Sequence, residues 1–377
     1  MSAEDLPEPD RVEGAHHPRE TPRLVGQGVA ERAFLSAFSG GRLHHGWLLT
    51  GPEGVGKATL AWRIARFLIA TPVDDGSGLL GAPPAPDTLD IGADHPVMRR
   101  TMALSEPSLF VLRRGANDKG DRLAAEIRVQ EVRDLKRRMA LSSADGGRRV
   151  ILVDAVDDLN VSAANALLKL LEEPPANTVL LLVCHRPARL LPTIRSRCRE
   201  LRLSPLGPEA MAEALAAAGA AAGPEEADAL TELSAGSVGA AIRLSNLGGL
   251  ELYGALMEVL STLPDLDRPR ALALADRVAT RGREAELDLL LGLTDLALAR
   301  LARAGVTSTP PPRPAHAAEP SVIARLAPDP AAGRAWADIA QTAAERARRG
   351  RAVNIDAAAL VFDMLTRMRE TAASVAA

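Results

Sequence analysis

The chain has 377 residues, more than one ordinary hydrophobic core accommodates, so we expect two or three domains. Hydrophobic residues make up 47% and charged residues 25%, which is typical of a soluble globular protein, and a net charge of -3 excludes a polycation that binds nucleic acid over its whole surface. Aromatic residues make up only 2%, which argues against the base-stacking surfaces of single-strand-binding proteins.

Cysteine content and the amino terminus indicate the cellular context. The two cysteines, Cys184 and Cys198, are too few for a disulfide framework or a four-thiolate zinc site. The first twenty residues are acidic and polar, unlike a signal peptide, and no run of about 18 uncharged apolar residues indicates a membrane span. We therefore predict a cytoplasmic protein. Only four of its 45 basic residues are lysines, so a lysine within a motif is informative here.

The first half of the chain alternates apolar runs with helical patterns. Residues 1–20 are predicted to be a disordered lead-in, and residues 23–38 an amphipathic helix. The apolar run Gly46–Thr50 leads directly into the glycine-rich GPEGVGKAT and a helical pattern through Ala70, the order strand, loop, helix of a phosphate-binding unit. A stretch rich in Pro, Gly and Asp at 71–96 is predicted to be a surface loop. Further strands are predicted at 110–112, 150–153 and 178–184, and helices at 127–139 and 161–173.

This alternation predicts an α/β fold with a parallel sheet that is covered by helices on both faces. After Pro205 only helical periodicity remains, in a sequence rich in Ala and Leu. A glycine-bounded stretch near 236–249 separates two helical parts. We therefore predict a P-loop domain over residues 21–205, a small helical lid over 206–248 and an all-α domain over 249–377.

The segment from Gly51 to Lys57, GPEGVGK, matches the first seven positions of the phosphate-binding P-loop. Gly51, Gly54 and Gly56 allow backbone N–H groups to turn inward around a β-phosphate, the next helix adds its positive end, and Lys57 reaches the β and γ oxygens. The alternative is a glycine-rich turn followed by a solvated lysine. The scarcity of lysine and the apolar strand upstream favour the site, which predicts binding of ATP or ADP.

Placement of Mg²⁺ is weakly supported by this sequence. Ala58 occupies the position at which the P-loop has a serine or threonine that ligates the metal. Thr59 follows directly, but it lies about 100° further round the helix; we keep it as a nucleotide-binding candidate. Asp154, at the end of the apolar run VILV, can hold the water shell of Mg²⁺, the alternative being an aspartate that caps a turn at the end of a strand.

Three segments of the chain resemble a known family. They are LHHGWLLTGPEGVGK at 43–57, NALLKLLEEPP at 165–175, and the tripeptide Ser196-Arg197-Cys198 that follows the predicted strand at 178–184. Together they resemble the clamp-loader subunits of bacterial DNA polymerase III, which are AAA+ proteins, and among these the delta-prime subunits. The resemblance covers about residues 24–245, and the remaining C-terminal part only in being helical.

The resemblance implies a role for Arg197. In that family the arginine of the SRC motif acts in trans: it enters the ATP site of the neighbouring motor subunit and neutralises charge on the γ-phosphate, which is worth roughly 10³–10⁵ in rate. The alternative is that Arg197, with Arg195 and Arg199, makes surface salt bridges. The resemblance also implies that residues 206–248 are the AAA+ lid and 249–377 a collar that holds a ring of subunits together.

Several positions depart from the AAA+ proteins that hydrolyse ATP. Ala155 stands where these have the glutamate that polarises the attacking water, and Asp157 and Asp158 lie past the strand end, where they are poor substitutes. Gly239 stands where the lid of active relatives has an arginine, and Cys184 replaces a hydroxyl residue. We therefore predict a poor ATPase that keeps the trans-acting arginine.

The resulting hypothesis is a stator subunit that helps load the sliding clamp on DNA, as a component of the DNA polymerase holoenzyme, a nucleotidyltransferase complex; whether the chain itself is an enzyme stays open. Its implied partners are gamma/tau and delta subunits in a hetero-oligomeric ring and, through the complex, the clamp and primer-template DNA. The alternatives are an active gamma/tau-like AAA+ motor, which Ala58 and Ala155 disfavour, and another AAA+ loader in replication or repair, which NALLKLLEEPP with the SRC motif disfavours. Many relatives carry a four-cysteine zinc module after the P-loop helix; residues 71–96 contain no cysteine, so no zinc site is predicted.

Overall fold

The computed structural model describes residues 8–72, 86–141, 147–353 and 355–376. The chain divides into two units. The first runs to Ala221 and includes Ser237–Gly239, and the second comprises Ala222–Gly236 and the chain from Ala240 onward. The predicted lid is therefore divided between the two units, and its boundaries as a separate domain stay a prediction.

The first unit is built on five strands that form one parallel sheet. The central strands are buried along their whole length, because helices cover both faces and no alternate residue meets water. The predicted α/β fold with a parallel sheet is confirmed. The strands are β1 (Gly46–Thr50), β2 (Leu109–Arg113), β3 (Arg149–Asp154), β4 (Thr178–Val183) and β5 (Arg199–Arg202), in the spatial order β2-β3-β4-β1-β5.

The helices of the first unit lie on both sides of this sheet. Among the described residues they are α1 (Gly28–Ser39), α2 (Lys57–Ala70), α3 (Pro96–Met102), α4 (Val129–Leu141), α5 (Val161–Glu172), α6 (Pro192–Arg195) and α7 (Pro208–Ala217). Because neighbouring strand residues point to opposite faces, Trp47 packs 5.0 Å from the ring of Phe34 in α1, whereas Leu48 joins the buried cluster that includes Leu135 of α4 and Leu167 of α5. The short helices α3 and α6 were not predicted.

Residues 8–20 are ordered against the sheet, so the predicted disordered lead-in is wrong for this part; residues 1–7 lie outside the described residues. Arg113, the last residue of β2, donates to Asp10 Oδ1 at 2.9 Å. The imidazole of His17 is fully buried, with Nε2 3.1 Å from Asp10 Oδ2. Opposite charges at the end of an edge strand thus order a segment whose polar composition predicted disorder.

The second unit is helical throughout its described residues, as predicted for the C-terminal part of the chain. None of the helices in the described ranges is long and apolar enough to cross a membrane. They are α8 (Pro224–Leu233), α9 (Val238–Asn246), which begins in the first unit, α10 (Gly249–Leu260), α11 (Arg268–Ala279), α12 (Glu284–Thr307), α13 (Glu319–Leu326), α14 (Pro330–Ala352) and α15 (Ala357–Ala376).

Helices α12 and α14 approach each other closely through a pair of glycines. A Cβ at Gly333 would lie 2.5 Å from Val306 N and 2.8 Å from Ala302 O, and both are backbone atoms that cannot move aside. A Cβ at Gly305 would lie 2.7 Å from the Cα of Gly333. This helix spacing therefore requires glycine at both positions.

We predict that Gly333→Ala destabilises the second unit by about 1–3 kcal/mol, because the added methyl group forces the two helices apart. The matched control is Gly292→Ala, also in α12, where nothing lies within 4 Å of the added Cβ. That change should be neutral or stabilising by up to about 1 kcal/mol. Chemical denaturation followed by far-ultraviolet circular dichroism measures both variants, and equal effects would contradict the close packing.

Candidate functional site

The loop between β1 and α2 carries the predicted glycines and Lys57. Gly51, Gly54 and Gly56 have φ angles of 135°, 77° and 98°, which residues with a side chain rarely adopt. A Cβ at Gly51 would also lie 2.4 Å from Leu203 O. The glycines therefore fix the course of the loop.

Every carbonyl group from Gly51 to Val55 accepts a hydrogen bond from a group outside that segment. In order along the loop, the hydrogen bonds are Lys57 Nζ to Gly51 O (2.8 Å) and Pro52 O (2.5 Å), Ser237 Oγ to Glu53 O (2.7 Å), Gly239 N to Gly54 O (3.0 Å) and Gln27 Nε2 to Val55 O (3.2 Å). These peptide bonds are trans, so the N–H groups of Glu53, Gly54, Val55 and Gly56 each point opposite to the carbonyl group of the residue before; Pro52 has no N–H group. Backbone N–H groups of this kind form an anion-binding nest.

Two of the residues that hold the loop are not predicted from the sequence. Gln27 lies just before α1 and is buried; its side chain exchanges hydrogen bonds with Ser204 O at 2.8 Å and Ser204 N at 3.1 Å. Its partners lie 28 and 177 positions away, so no local pattern indicates the contact. Ser237 is equally remote in sequence. Gly239, at the position where active relatives have an arginine, donates its backbone N–H to the loop at Gly54 O.

Lys57 is the first residue of α2, and only 2% of it is exposed. Burial lowers the pKa of its ammonium group to about 8, although the charge of Asp154 acts in the opposite direction. Its two acceptors in the loop are uncharged carbonyl groups. A phosphate in the nest would offer the ammonium group charged oxygens, which form stronger hydrogen bonds with it.

Asp154 ends β3 within electrostatic range of Lys57. Burial and then the charge of Asp10 raise the pKa of its carboxyl group to about 7, against the opposing effect of Lys57. Asp154 Oδ2 is buried and has no hydrogen-bond partner among the described residues. An orphaned carboxylate oxygen fits a water bound to Mg²⁺, but the methyl group of Ala58 offers no ligand, so these residues fit the metal only in part.

The carboxylates beyond β3 are engaged in other contacts. The side chain of Asp157 is fully buried and accepts hydrogen bonds from the His185 N–H at 2.9 Å and from Arg186 Nε at 3.2 Å. Asp158 is paired with Arg114 at 3.2 Å. Neither aspartate is therefore free to act as the base that Ala155 cannot supply.

Thr59 and Cys184 are the remaining predicted positions near the loop. Thr59 is the third residue of α2 and is buried, and its role in nucleotide binding stays a prediction. Cys184 directly follows β4, and burial raises the pKa of its thiol to about 12, which keeps it neutral. No group of three or more His, Cys, Asp or Glu in the described ranges is arranged to hold a metal ion. Of the stretch 71–96 predicted to lack zinc, residues 73–85 lie outside the described part.

Arg197 lies between α6 and β5, with 38% of its side chain exposed. Its Nη2 is 3.0 Å from Glu172 Oε1 at the end of α5, and its Nη1 donates to Thr193 O at 3.0 Å. Arg199 differs, because its guanidinium lies over the ring of Trp47, 5.4 Å from the centroid. Both arginines lie at the surface, and Arg199 covers Trp47 while it stays exposed to solvent.

Arg197 and the phosphate loop lie at opposite ends of the parallel strands, Arg197 at the amino ends and the loop at the carboxyl ends. β5 runs parallel to β1, with Arg199 beside Trp47, so Arg197 precedes the amino end of β1 whereas Gly51 follows its carboxyl end. A strand rises about 3.3 Å per residue, which separates the two by roughly 15–20 Å. Arg197 cannot reach a phosphate held by the loop of its own chain.

A comparison with protein families matches residues 26–207 to the family described as DNA polymerase III, delta subunit. The matched segment contains the whole sheet, the phosphate loop, Asp154 and Arg197. The match to this family thus covers just under half of the chain. The resemblance to DNA polymerase III clamp-loader subunits inferred from the three sequence segments is confirmed.

Individual relatives of this clamp-loader family have similar sequences. The delta' subunit of DNA polymerase III from Pseudomonas aeruginosa is 39% identical over 222 residues, 58% of this chain and 60% of that protein. The delta' subunit from Escherichia coli is 31% identical over 210 residues, 56% of this chain and 57% of that protein. The gamma subunit from Buchnera aphidicola is 29% identical over 199 residues, 51% and 47% of the two chains. The chain thus spans about half to three fifths of the length of these relatives.

Two solved structures from Thermotoga maritima align over much of the chain at 15% identity. A DNA polymerase III gamma subunit-related protein covers 90% of this chain and 99% of its own, with a TM-score of 0.36. The RuvB Holliday junction branch migration motor covers 84% and 90%, with a TM-score of 0.39.

We predict that Asp154→Asn removes a pH dependence from the stability of the first unit. The pKa of Asp154 is about 7 in the folded chain against 3.8 as the ordinary value, so folding takes up a proton between these values and wild-type stability falls as the pH rises through them. Above pH 7 the buried carboxylate destabilises the fold by roughly 2–4 kcal/mol, which asparagine avoids.

Thermal unfolding at pH 5 and pH 8, without nucleotide or Mg²⁺, measures this effect. The gain in stability from Asp154→Asn should be larger at pH 8. Asp94→Asn, at an exposed position of the same unit, is the control and should leave the pH profile unchanged. Parallel profiles for wild type and Asp154→Asn would show that the carboxyl group is ionised throughout.

Proposed function

We propose that this chain is a delta-prime-type subunit of the DNA polymerase III clamp loader, which acts in the cytoplasm and helps load the sliding clamp on DNA during replication. It is a stator that supplies Arg197 to the ATP site of a neighbouring gamma/tau-type subunit and hydrolyses ATP poorly itself. The family of residues 26–207 and the delta' relatives support the assignment. The position of Arg197 carries it: an exposed arginine at the opposite end of the strands from its own phosphate loop acts on the nucleotide of another subunit or on none.

The proposed weakness in hydrolysis rests on side chains that lack the necessary chemistry. Ala58 and Ala155 offer neither a ligand for Mg²⁺ nor a base, and Gly239 has no side chain to reach a nucleotide. The alternative function is an active gamma/tau-like motor, and the similarity to the Buchnera gamma subunit supports that alternative. That alternative requires groups that these three positions do not provide. Another AAA+ loader is disfavoured by the family of residues 26–207.

We further propose that residues 206–248 act as the lid and 249–377 as the collar through which the chain joins gamma/tau and delta subunits in a ring. The clamp and primer-template DNA are contacted through that complex. Lys136 of α4 and Lys169 of α5 are candidates for a surface that faces DNA: burial, and then the charge of Lys169, lower the pKa of Lys136, so the two ammonium groups are within electrostatic range of each other.

The phosphate loop, in this proposal, binds ATP or ADP through Lys57 and the N–H groups around Gly51, Gly54 and Gly56, with Thr59 and Asp154 beside them. We predict that Lys57→Ala weakens ADP binding roughly tenfold or more, because a charge-assisted hydrogen bond to phosphate is lost. Binding should also weaken between pH 7 and pH 9, since the pKa of Lys57 is about 8 in the free loop.

Titration with a fluorescent ADP analogue measures both effects. Lys119→Ala is the control, because Lys119 is another of the four lysines and is exposed. Equal affinity of wild type and Lys57→Ala would remove the loop from the proposal, while leaving the role of Arg197 intact.

The role of Arg197 is tested in the assembled ring. We predict that the isolated chain turns over little ATP, and that a ring containing Arg197→Ala loses the part of its DNA-stimulated turnover that depends on this arginine. An arginine finger is worth roughly 10³–10⁵ in rate at the one site that it serves. Steady-state ATP hydrolysis, with gamma/tau and delta subunits of the same organism, measures the loss.

Arg195→Ala is the matched control, because Arg195 is an exposed arginine two residues away. Co-purification of the chain with gamma/tau and delta subunits establishes that every variant assembles. High turnover by the lone chain would favour the motor alternative. Failure to join the other subunits would instead favour a loader outside the polymerase.

A further inference from the structure

The guanidinium of Arg197 is held by its own chain before any neighbour is present. Nη2 lies 3.0 Å from Glu172 Oε1, and Nη1 donates to Thr193 O at 3.0 Å. The hydrogen bond to Thr193 O uses one of the five N–H donors of the planar guanidinium, and the contact with Glu172 is an ion pair, so other donors remain for another acceptor. The two contacts come from different elements, α5 and α6, and together they define the plane of the group.

The backbone that carries Glu172 is itself fixed. Glu172 is the last residue of α5, whose neighbouring Leu171 is buried in the core of the sheet. His45 Nε2 is 2.9 Å from Leu171 O, and because a carbonyl group only accepts, that nitrogen carries the hydrogen and donates. Burial, and then the charge of His44, lower the pKa of His45, which favours this neutral form. The carboxylate thus projects from an anchored helix end.

Such a contact orients the arginine more than it stabilises the fold. Both side chains of the pair are more than a third exposed, and exposed ion pairs contribute little to stability. A long, free arginine would however have to be ordered by the neighbouring subunit at each encounter with nucleotide, which costs side-chain entropy. If the guanidinium is already oriented within its own chain, this entropy is lost on folding and no longer in the catalytic step.

We propose that Glu172 is a positioning residue for Arg197, which holds the guanidinium in the orientation in which its free N–H groups meet the γ-phosphate of the neighbouring subunit's nucleotide. This inference rests on the proposed function, because it requires that Arg197 acts in trans. The opposite possibility is a latch, in which the carboxylate competes with the phosphate and restrains the arginine. A latch and a positioning residue predict opposite changes in turnover when the carboxylate is removed.

The test compares reconstituted rings that carry Glu172→Ala, Glu172→Gln, Arg197→Ala or the double variant Glu172→Ala/Arg197→Ala. The control is Glu173→Ala, since the adjacent Glu173 is equally exposed. DNA-stimulated ATP hydrolysis gives kcat and KM, co-purification reports assembly, and thermal unfolding of the chain reports stability.

We expect Glu172→Ala to lose at least about half of the Arg197-dependent turnover, as a lowered kcat with KM for ATP and the unfolding temperature unchanged. Glu172→Gln should retain more, because its amide oxygen still accepts from the guanidinium. Glu173→Ala should match wild type, and the double variant should match Arg197→Ala alone, since a residue that acts only through Arg197 has nothing left to position.

The outcomes separate this proposal from the proposed function. If Arg197→Ala itself leaves turnover unchanged, the proposed function fails and the role of Glu172 fails with it. If Arg197→Ala lowers turnover but Glu172→Ala matches wild type, raises turnover, or adds to the loss in the double variant, the positioning role is overturned and the trans-acting arginine stands.

Discussion

The outward hydrogen bonding of the loop carbonyls between β1 and α2 is the constraint on which the candidate nucleotide site depends. Three glycines with positive φ permit the conformation of the loop, but they do not stabilise it. Hydrogen-bond donors from Gln27, Lys57 and the segment Ser237–Gly239 stabilise it. Because these donors hold the carbonyl groups of Pro52, Glu53, Gly54 and Val55, the N–H groups of the residues that follow them point the opposite way. The anion-binding geometry is therefore a product of the whole first unit.

The same contacts explain how a phosphate loop persists in a chain that lacks the groups for hydrolysis. A Cβ at Gly51 would collide with Leu203 O, and one at Gly54 would lie 2.4 Å from Ser237 Oγ, so both glycines are required by packing whether or not ATP is split. Ala58 and Ala155 occupy positions where a polar side chain would serve only the metal or the attacking water. The glycines of the loop are therefore needed for packing as well as for phosphate binding. Polar side chains at positions 58 and 155 are needed only for hydrolysis.

The sequence predicts the elements whose signals are local. The buried strands follow from apolar runs, the loop from glycine spacing, and the approach of Asp154 to Lys57 from the shared carboxyl edge of a parallel sheet. The proposed trans role of Arg197 rests on the family resemblance, because arginine is common in this chain and a single arginine is not informative.

What the sequence does not predict depends on partners far away along the chain. The amide of Gln27 bonds Ser204 at a separation of 177 positions, and nothing near either residue indicates the pair. The order of residues 8–20 has the same origin: Asp10 meets Arg113, 103 positions later, at the end of an edge strand. The acidic composition that suggested disorder supplies the charges that this strand end requires.

The polarity of the parallel sheet finally accounts for the separation of the two functions. All strands run in the same direction. The loop and Asp154 therefore lie at the carboxyl ends of the strands, and Arg197 and Glu172 lie at the amino ends. Head-to-tail contacts between two different surfaces generate a ring where the rotation between subunits closes. In the proposed ring each nucleotide lies between one subunit's loop and the next subunit's arginine. The two ends are roughly 15–20 Å apart. In the proposed function, loss of hydrolytic groups at the loop therefore leaves the arginine intact, so that a subunit with little ATP hydrolysis of its own still completes the site of its neighbour.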